Sequence, residues 1–140
     1  MARENWPLTQ SVGVALLRLT YGTIFVVHGW EKVSDGVAQM TPMVAKLGFP
    51  QPHFFAWCAA LAELLGGLSV GLGIFGRAGA LFIALNMTVA VFMVHFSHGL
   101  TGQGGFEYPL TLLAVSLLFV LGGTGPLSLD RLWLKKGWLK

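Results

Sequence analysis

The chain has 140 residues, 54% of them hydrophobic and 11% charged, against about 25% charged in an ordinary soluble domain. That deficit, with a mean hydropathy of +0.68, excludes a typical soluble fold and points to a membrane protein. The net charge of +3 is spread along the chain without the basic run that a nucleic-acid surface needs.

The N-terminal MARENWPLTQ is polar, and the first apolar segment runs from Val12 to Trp30. It ends in HGWEK rather than in a small-residue cleavage site, so it reads as an uncleaved first span. Arg18, Tyr21 and His28 lie inside it, and it runs into Glu31 and Lys32. Charge in hydrocarbon is costly and is functional by default.

The connection from Glu31 to His53 is the longest. Within it Val37, Met40, Met43, Val44 and Leu47 recur at roughly helical spacing. A short interfacial helix is expected there, with Pro42 in its first turn or at a kink, and with Pro50 and Pro52 ending it. The second span runs from Phe54 to Phe75 and carries one acid, Glu63; Cys58, the single cysteine, cannot form an intrachain disulfide or a CxxC pair and is expected to be a buried, inert thiol. Phe75-Gly76-Arg77-Ala78 reads as a tight turn into the third span, Ala78 to Phe96, which carries Asn86 and His95. The Gly-rich stretch SHGLTGQGGFE leads to a fourth segment, Tyr108 to about Gly122.

The first three segments have 19, 22 and 19 residues, close to the ~20 that cross ~30 Å of hydrocarbon. The expectation is an all-α, four-transmembrane-helix antiparallel bundle in one domain, with spans at about 12–30, 54–75, 78–96 and 107–123. Arg3, Arg77, Arg131, Lys135, Lys136 and Lys140 then share one side, against Lys32 and Lys46 on the other, which puts both termini in the cytoplasm. The tail RLWLKKGWLK is expected to rest on the inner leaflet, with Trp133 and Trp138 at headgroup level. Ala62/Gly66, Gly67/Gly71 and Ala80/Ala84 are each four apart, a spacing that favours close helix packing in lipid.

At ~1.5 Å per residue, His28 lies about 24 Å and His95 about 25 Å from the inner edge, with Lys32, His98 and Glu107 at the same outer level. Glu63 falls near mid-membrane and Arg18 about 9 Å above the inner edge. At 100° per residue, Tyr21, Phe25, His28 and Lys32 share one face with Arg18, so that face turns inward. Arg18 either extends to Glu63 as an ion pair or reaches down to the inner headgroups, leaving Glu63 protonated. Asn86 and His95, nine residues apart, face opposite ways on an ideal helix, and Asn86 is expected to bond another helix. His28 and His95 read either as satisfied interfacial histidines or as contacts to a substrate or quinone headgroup; a haem between His28 and His95, or a metal held by His95 and His98 with His28 or Glu107, is the lesser alternative. No Walker loop, dinucleotide fingerprint or nucleophile elbow is present.

At LLRLTYGTIFVVHGWEK (Leu16 to Lys32) the chain resembles the DoxX family of small bacterial membrane proteins, through an Arg-x-Leu…Gly…His-Gly-x-x-Lys opening. AALAELLGGLSVGLGIFGRAGAL (Ala59 to Leu81) resembles that family's Glu-bearing second helix and Arg turn. His95 occupies its third-helix histidine position, and GGTGPLSLD (Gly122 to Asp130) resembles its ending. The resemblance implies a four-helix inner-membrane fold and a redox association. The family name comes from a subunit of a thiosulfate:quinone oxidoreductase, and relatives are linked to thiol stress and to catechol or quinone handling. On residue matching it carries Arg18, His28, Lys32, Glu63, Arg77 and His95.

Two classes of function follow. One is a quinone-linked redox subunit of the bacterial inner membrane, with Glu63 and Arg18 in proton handling and with His28, Lys32, His95 and Tyr21 around a bound quinone. It would act with a soluble or membrane redox partner, since no partner subunit is fused. The other is a non-catalytic scaffold or assembly factor, alone or as a homo-oligomer, in which Arg18 and Glu63 lock the helices in the lipid bilayer.

Overall fold

The computed structural model describes residues 6–131. The tail with Trp133 and Trp138, and its expected contact with the inner leaflet, lies outside the described residues. Helix α1 spans Leu8–Ser34. A 3₁₀ turn at Val37–Gln39 and the short helix α2, Thr41–Lys46, follow, with Pro42 in the first turn of α2, where its missing N–H costs nothing. Helix α3 spans Pro52–Leu72 and α4 spans Gly76–Val89. From Ala90 to His95 the α4 backbone widens into a π-helical stretch, then tightens to a 3₁₀ turn at Phe96–His98. Helix α5 spans Glu107–Gly122.

The expected four-span bundle is corrected here. Among the described residues three helices are long and apolar enough to cross a membrane: Leu8–Ser34, Pro52–Leu72 and Gly76–His98. Helix α5 has 16 residues, about 24 Å at ~1.5 Å each, short of the ~30 Å hydrocarbon layer. Its ends are set locally. The Gly-rich loop precedes it with Gly102 at φ 99° and Gly104 at φ 83°, and Gly123 stops it at φ 76°. The first span, by contrast, runs beyond the expected 12–30 at both ends, to 27 residues.

Helix α3 is the centre of the packing, and its glycines make it so. Gly67 and Gly71 meet Gly22 of α1: a Cβ on Gly22 would lie 2.6 Å from Gly71 Cα and 2.8 Å from Gly67 O. Two turns further along α1, a Cβ on Gly29 would lie 2.4 Å from the Leu64 nitrogen. On its other flank α3 offers Gly66, whose Cβ would lie 3.0 Å from Gly79 O of α4. Small residues thus let three backbones approach, in a medium where the hydrophobic effect between helices is lost.

The tight α3–α4 turn falls earlier than expected, at Gly73 to Phe75 rather than Phe75 to Ala78. Gly73 caps α3 in the left-handed region, at φ 70°, and the Gly73 and Ile74 N–H groups both return to Ser69 O. Arg77 therefore falls in the first turn of α4 and donates to Leu121 O of α5 at 3.2 Å, tying that helix end down. The main core joins Tyr21, Phe25, Val70, Ile83, Met87 and Phe119. A smaller core under α2 joins Val37, Val44, Ala56 and Ala60.

Candidate functional site

The polar residues of the helices separate into two clusters at opposite ends of the bundle. The first is built on Arg18, 6% exposed. Its two terminal nitrogens donate to Thr124 O and Leu127 O, each at 3.2 Å, beyond the end of α5. Its Nε is buried without a partner among the described residues. One turn along α1, Tyr21 meets Ser116 of α5 through their hydroxyls. Ser116 Oγ donates its hydrogen to Leu112 O at 2.8 Å, so it accepts from Tyr21. The Tyr21 ring packs on Phe25 and edge-on to Phe119, with centroids 4.8 and 5.5 Å away. The Arg18 and Tyr21 bonds hold α5 and the chain that follows it to α1.

The second cluster is centred on Glu63, 3% exposed on α3. Its Oε1 accepts from Asn86 Nδ2 of α4 at 2.7 Å, and its Oε2 is paired with the Lys32 ammonium of α1. The Arg18–Glu63 pair, one of the two alternatives the sequence left open, is therefore not formed. Gly29 sits against Leu64 in the antiparallel α1–α3 crossing, so Glu63 stands at the level of the last turns of α1. Arg18 lies about three turns away, some 17 Å along the helix, beyond the reach of its side chain. Lys32 reaches back over one turn instead, and Asn86 forms the interhelical bond expected of it. A lone buried carboxylate would be prohibitive in hydrocarbon; a cation and an amide on its two oxygens remove most of that cost.

Beyond Glu63 opens a cavity of about 740 Å³, within the range of small-molecule sites. Its walls come from α1, α2, α3, α4 and the start of α5, and they are mostly apolar. The polar groups on its lining include His28, Lys32, Glu63, Asn86, His95 and Tyr108. Arg18 and Tyr21 do not line it, nor do His98 and Glu107, which the depth estimate had placed at the same level.

Asn86 and His95 both line the cavity, against the expectation that they face opposite ways. The π-helical stretch is the reason: i→i+5 bonding adds residues to the turn and shifts the phase of all that follows. His95 Nδ1 lies 2.8 Å from Gly104 O. A carbonyl only accepts, so Nδ1 carries the hydrogen, and in the neutral ring Nε2 is left as an acceptor. His28 is half exposed, with its Nδ1 3.7 Å from Glu31 Oε2. Cys58 is exposed and on the cavity lining, which corrects the expected buried thiol: it lies on the flank of α3 away from the core. No group of three or more His, Cys, Asp or Glu side chains able to hold a metal ion occurs among the described residues.

Neither Cys58 nor the partnership of Lys32 with Glu63 was read from the sequence. The Gly29 register contains the signal for the second. Small residues on two helices mark their crossing, and the crossing sets which charges share a level.

Helices long enough to span a bilayer, glycine-mediated packing between them and a polar-lined cavity within define a multi-pass membrane protein. The chain belongs to the DoxX family, whose model matches residues 13–96. That stretch holds most of α1 and all of α2 to α4, with Arg18, His28, Lys32, Glu63 and His95. The chain is 33% identical over 119 residues to a Bacillus subtilis protein named "Putative oxidoreductase CatD", covering 85% of each chain. It is 32% identical over 129 residues to Escherichia coli "Inner membrane protein YqjF", covering 91% of this chain and 96% of that one. An uncharacterized Haemophilus influenzae protein is 29% identical over 131 residues, with 88% and 92% covered. No solved structure matches the chain.

Proposed function

We propose that the cavity binds a quinone-type ring and that the protein is the membrane-embedded, quinone-linked component of a bacterial inner-membrane oxidoreductase. The observation that carries this reading is the Lys32–Glu63–Asn86 group at the floor of an apolar cavity of about 740 Å³. The names of two relatives, one an oxidoreductase and one an inner membrane protein, agree with it.

The residues fit such a ring. Carbonyl oxygens need donors, and Lys32 Nζ has three hydrogens, one of them given to Glu63. When bound, a quinone supplies two-electron, two-proton redox chemistry. The apolar walls hold the ring and exclude water. Glu63, fixed through both oxygens, aims the Lys32 ammonium and keeps its charge balanced. Lys32 Nζ is the proton donor at the floor. His95 Nε2, oriented through the Nδ1 bond to Gly104, is an acceptor in the neutral ring and would suit a ring hydroxyl of the reduced form rather than a carbonyl. Electrons come from a separate redox partner protein. Arg18 and Tyr21 serve the scaffold and hold α5 in place.

Mass spectrometry of organic extracts from gently purified protein tests the reading, together with binding of a benzoquinone analogue. The wild type is expected to copurify with a quinone and to bind the analogue. Glu63→Gln and Lys32→Met are expected to weaken binding about tenfold or more, the equivalent of one lost charge-assisted bond. His28→Ala, on the cavity rim, is expected to have a smaller effect. A wild-type protein that neither carries quinone nor binds the analogue rules the reading out. If Glu63→Gln instead abolishes accumulation in the membrane, the scaffold reading takes its place.

A further inference from the structure

We infer that the ligand of this cavity enters and leaves sideways from the bilayer, through an opening between α3 and α4, and that this opening selects ligands carrying an apolar chain. The inference rests on the reading of the cavity as a ring-binding site.

The two helices are in backbone contact at one end. A Cβ on Gly66 would lie 3.0 Å from Gly79 O, and one on Gly79 would lie 2.6 Å from the Ser69 side chain. One turn further, the Asn86–Glu63 bond at 2.7 Å bridges them. Beyond that bridge the facing positions line the cavity, Cys58, Ala59 and Ala62 on α3 and Val89 and Ala90 after it on α4, while Phe82 and Leu85 line it beside the bridge, on the turn before Asn86.

Helical phase says where these residues point. Going from Glu63 at 100° per residue, Ala62 and Cys58 turn step by step away from the buried face of α3. From the buried Ile83 of α4, Asn86, Phe82 and Leu85 do the same. Cys58, Phe82 and Leu85 are exposed and also line the cavity. The cavity wall is therefore open on this side, at a level where the surrounding medium is lipid. Its α3 border is made of a cysteine and two alanines, which leave a gap that larger side chains would fill. A ring held at Lys32 and Glu63 could leave an attached chain lying through this gap. The polar floor and the apolar exit together match a lipid-borne molecule rather than a free water-soluble one.

Two measurements test this on the full-length protein in bilayer discs. The probes are a benzoquinone with a ten-carbon chain and a methylated benzoquinone without one. Ala59→Trp and Ala62→Phe are expected to slow association of the chain-bearing probe about tenfold or more while changing that of the chainless probe less than about threefold. In the wild type, the chain-bearing probe is expected to protect Cys58 from a membrane-permeant maleimide, and the chainless probe to leave it reactive. The second measurement needs no variant and stands even if the bulky substitutions fail to fold. Binding of both probes with no effect of either variant and no protection of Cys58 overturns the lateral route alone. Failure of the wild type to bind either probe overturns the ring-binding reading, and the route with it.

Discussion

Lys32 leaves the last turn of α1 and points back down the helix to meet Glu63 of α3, whose other oxygen accepts from Asn86 of α4. One carboxylate thus joins three elements far apart in the chain. Lys32 is 29% exposed through its side chain and Glu63 4%, so the lysine retains some outside contact while the acid depends wholly on its partners.

Removing the cation leaves a buried carboxylate uncompensated. Lys32→Met is expected to destabilise the protein by about 2–3 kcal/mol, at or below the usual range for breaking a buried pair because Lys32 is only partly buried. Lys32→Met combined with Glu63→Gln is expected to cost less than Lys32→Met alone, since Gln can still accept from Asn86 without a charge. Thermal unfolding of the four proteins of this cycle in detergent measures the coupling; additive costs would mean the two residues do not act as a pair.

The α1–α3 crossing tolerates no side chain. Gly29→Ala and Gly22→Ala would each place a Cβ against backbone atoms, at 2.4 and 2.6 Å, and are expected to cost about 1–3 kcal/mol or more. Gly13→Ala, with nothing within 4 Å, is expected to be neutral or slightly stabilising, since alanine is the better helix former. Membrane accumulation and unfolding temperature would separate the two groups.

Arg18 holds the chain after α5 through two carbonyls. Arg18→Met is expected to cost about 2–3 kcal/mol, from two lost charge-assisted bonds, and to expose the segment after Gly123 to protease. Quinone-analogue binding in the same variant, assayed under conditions where it stays folded, should be unchanged, because Arg18 does not line the cavity. Tyr21→Phe should lower stability by about 1 kcal/mol through the lost bond to Ser116, again without an effect on binding.

His95 latches the Gly-rich loop by its Nδ1 bond to Gly104 O. His95→Phe keeps the ring and removes the bond. It is expected to raise amide hydrogen exchange between Leu100 and Phe106 about fivefold, the effect of a ~1 kcal/mol bond, while the exchange of α3 stays the same. Unchanged loop exchange would show that the bond does not order the loop.

Much of the site was legible as a set and not as an arrangement. Arg18, Tyr21, His28, Lys32, Glu63 and His95 stand out because polar groups in apolar helices need partners. Their partners were harder to read. Pairing Arg18 with Glu63 rested on depth counted from helix ends, and those ends moved: α1 extends to Leu8 and Ser34, and α3 stops at Leu72. Opposite faces for Asn86 and His95 assumed a uniform α-helix, which the π-helical stretch interrupts. Counting the fourth segment as a span assumed that apolar character implied sufficient length, whereas Glu107–Gly122 is bounded by its glycine-rich flanks.

The sequence by itself determined the class of molecule: helices apolar enough for a membrane, the hairpin between α3 and α4, the short helix after α1, and the family. These depend on composition and local chemistry, which each segment carries on its own. The tertiary structure alone decided that Lys32 rather than Arg18 neutralises Glu63, that Arg18 and Tyr21 serve α5, and that a cavity opens beyond the Glu63–Asn86 bridge. Those facts depend on where Gly22 and Gly29 let α1 settle on α3. A crossing point between two helices is a property of the pair, and no single segment encodes it.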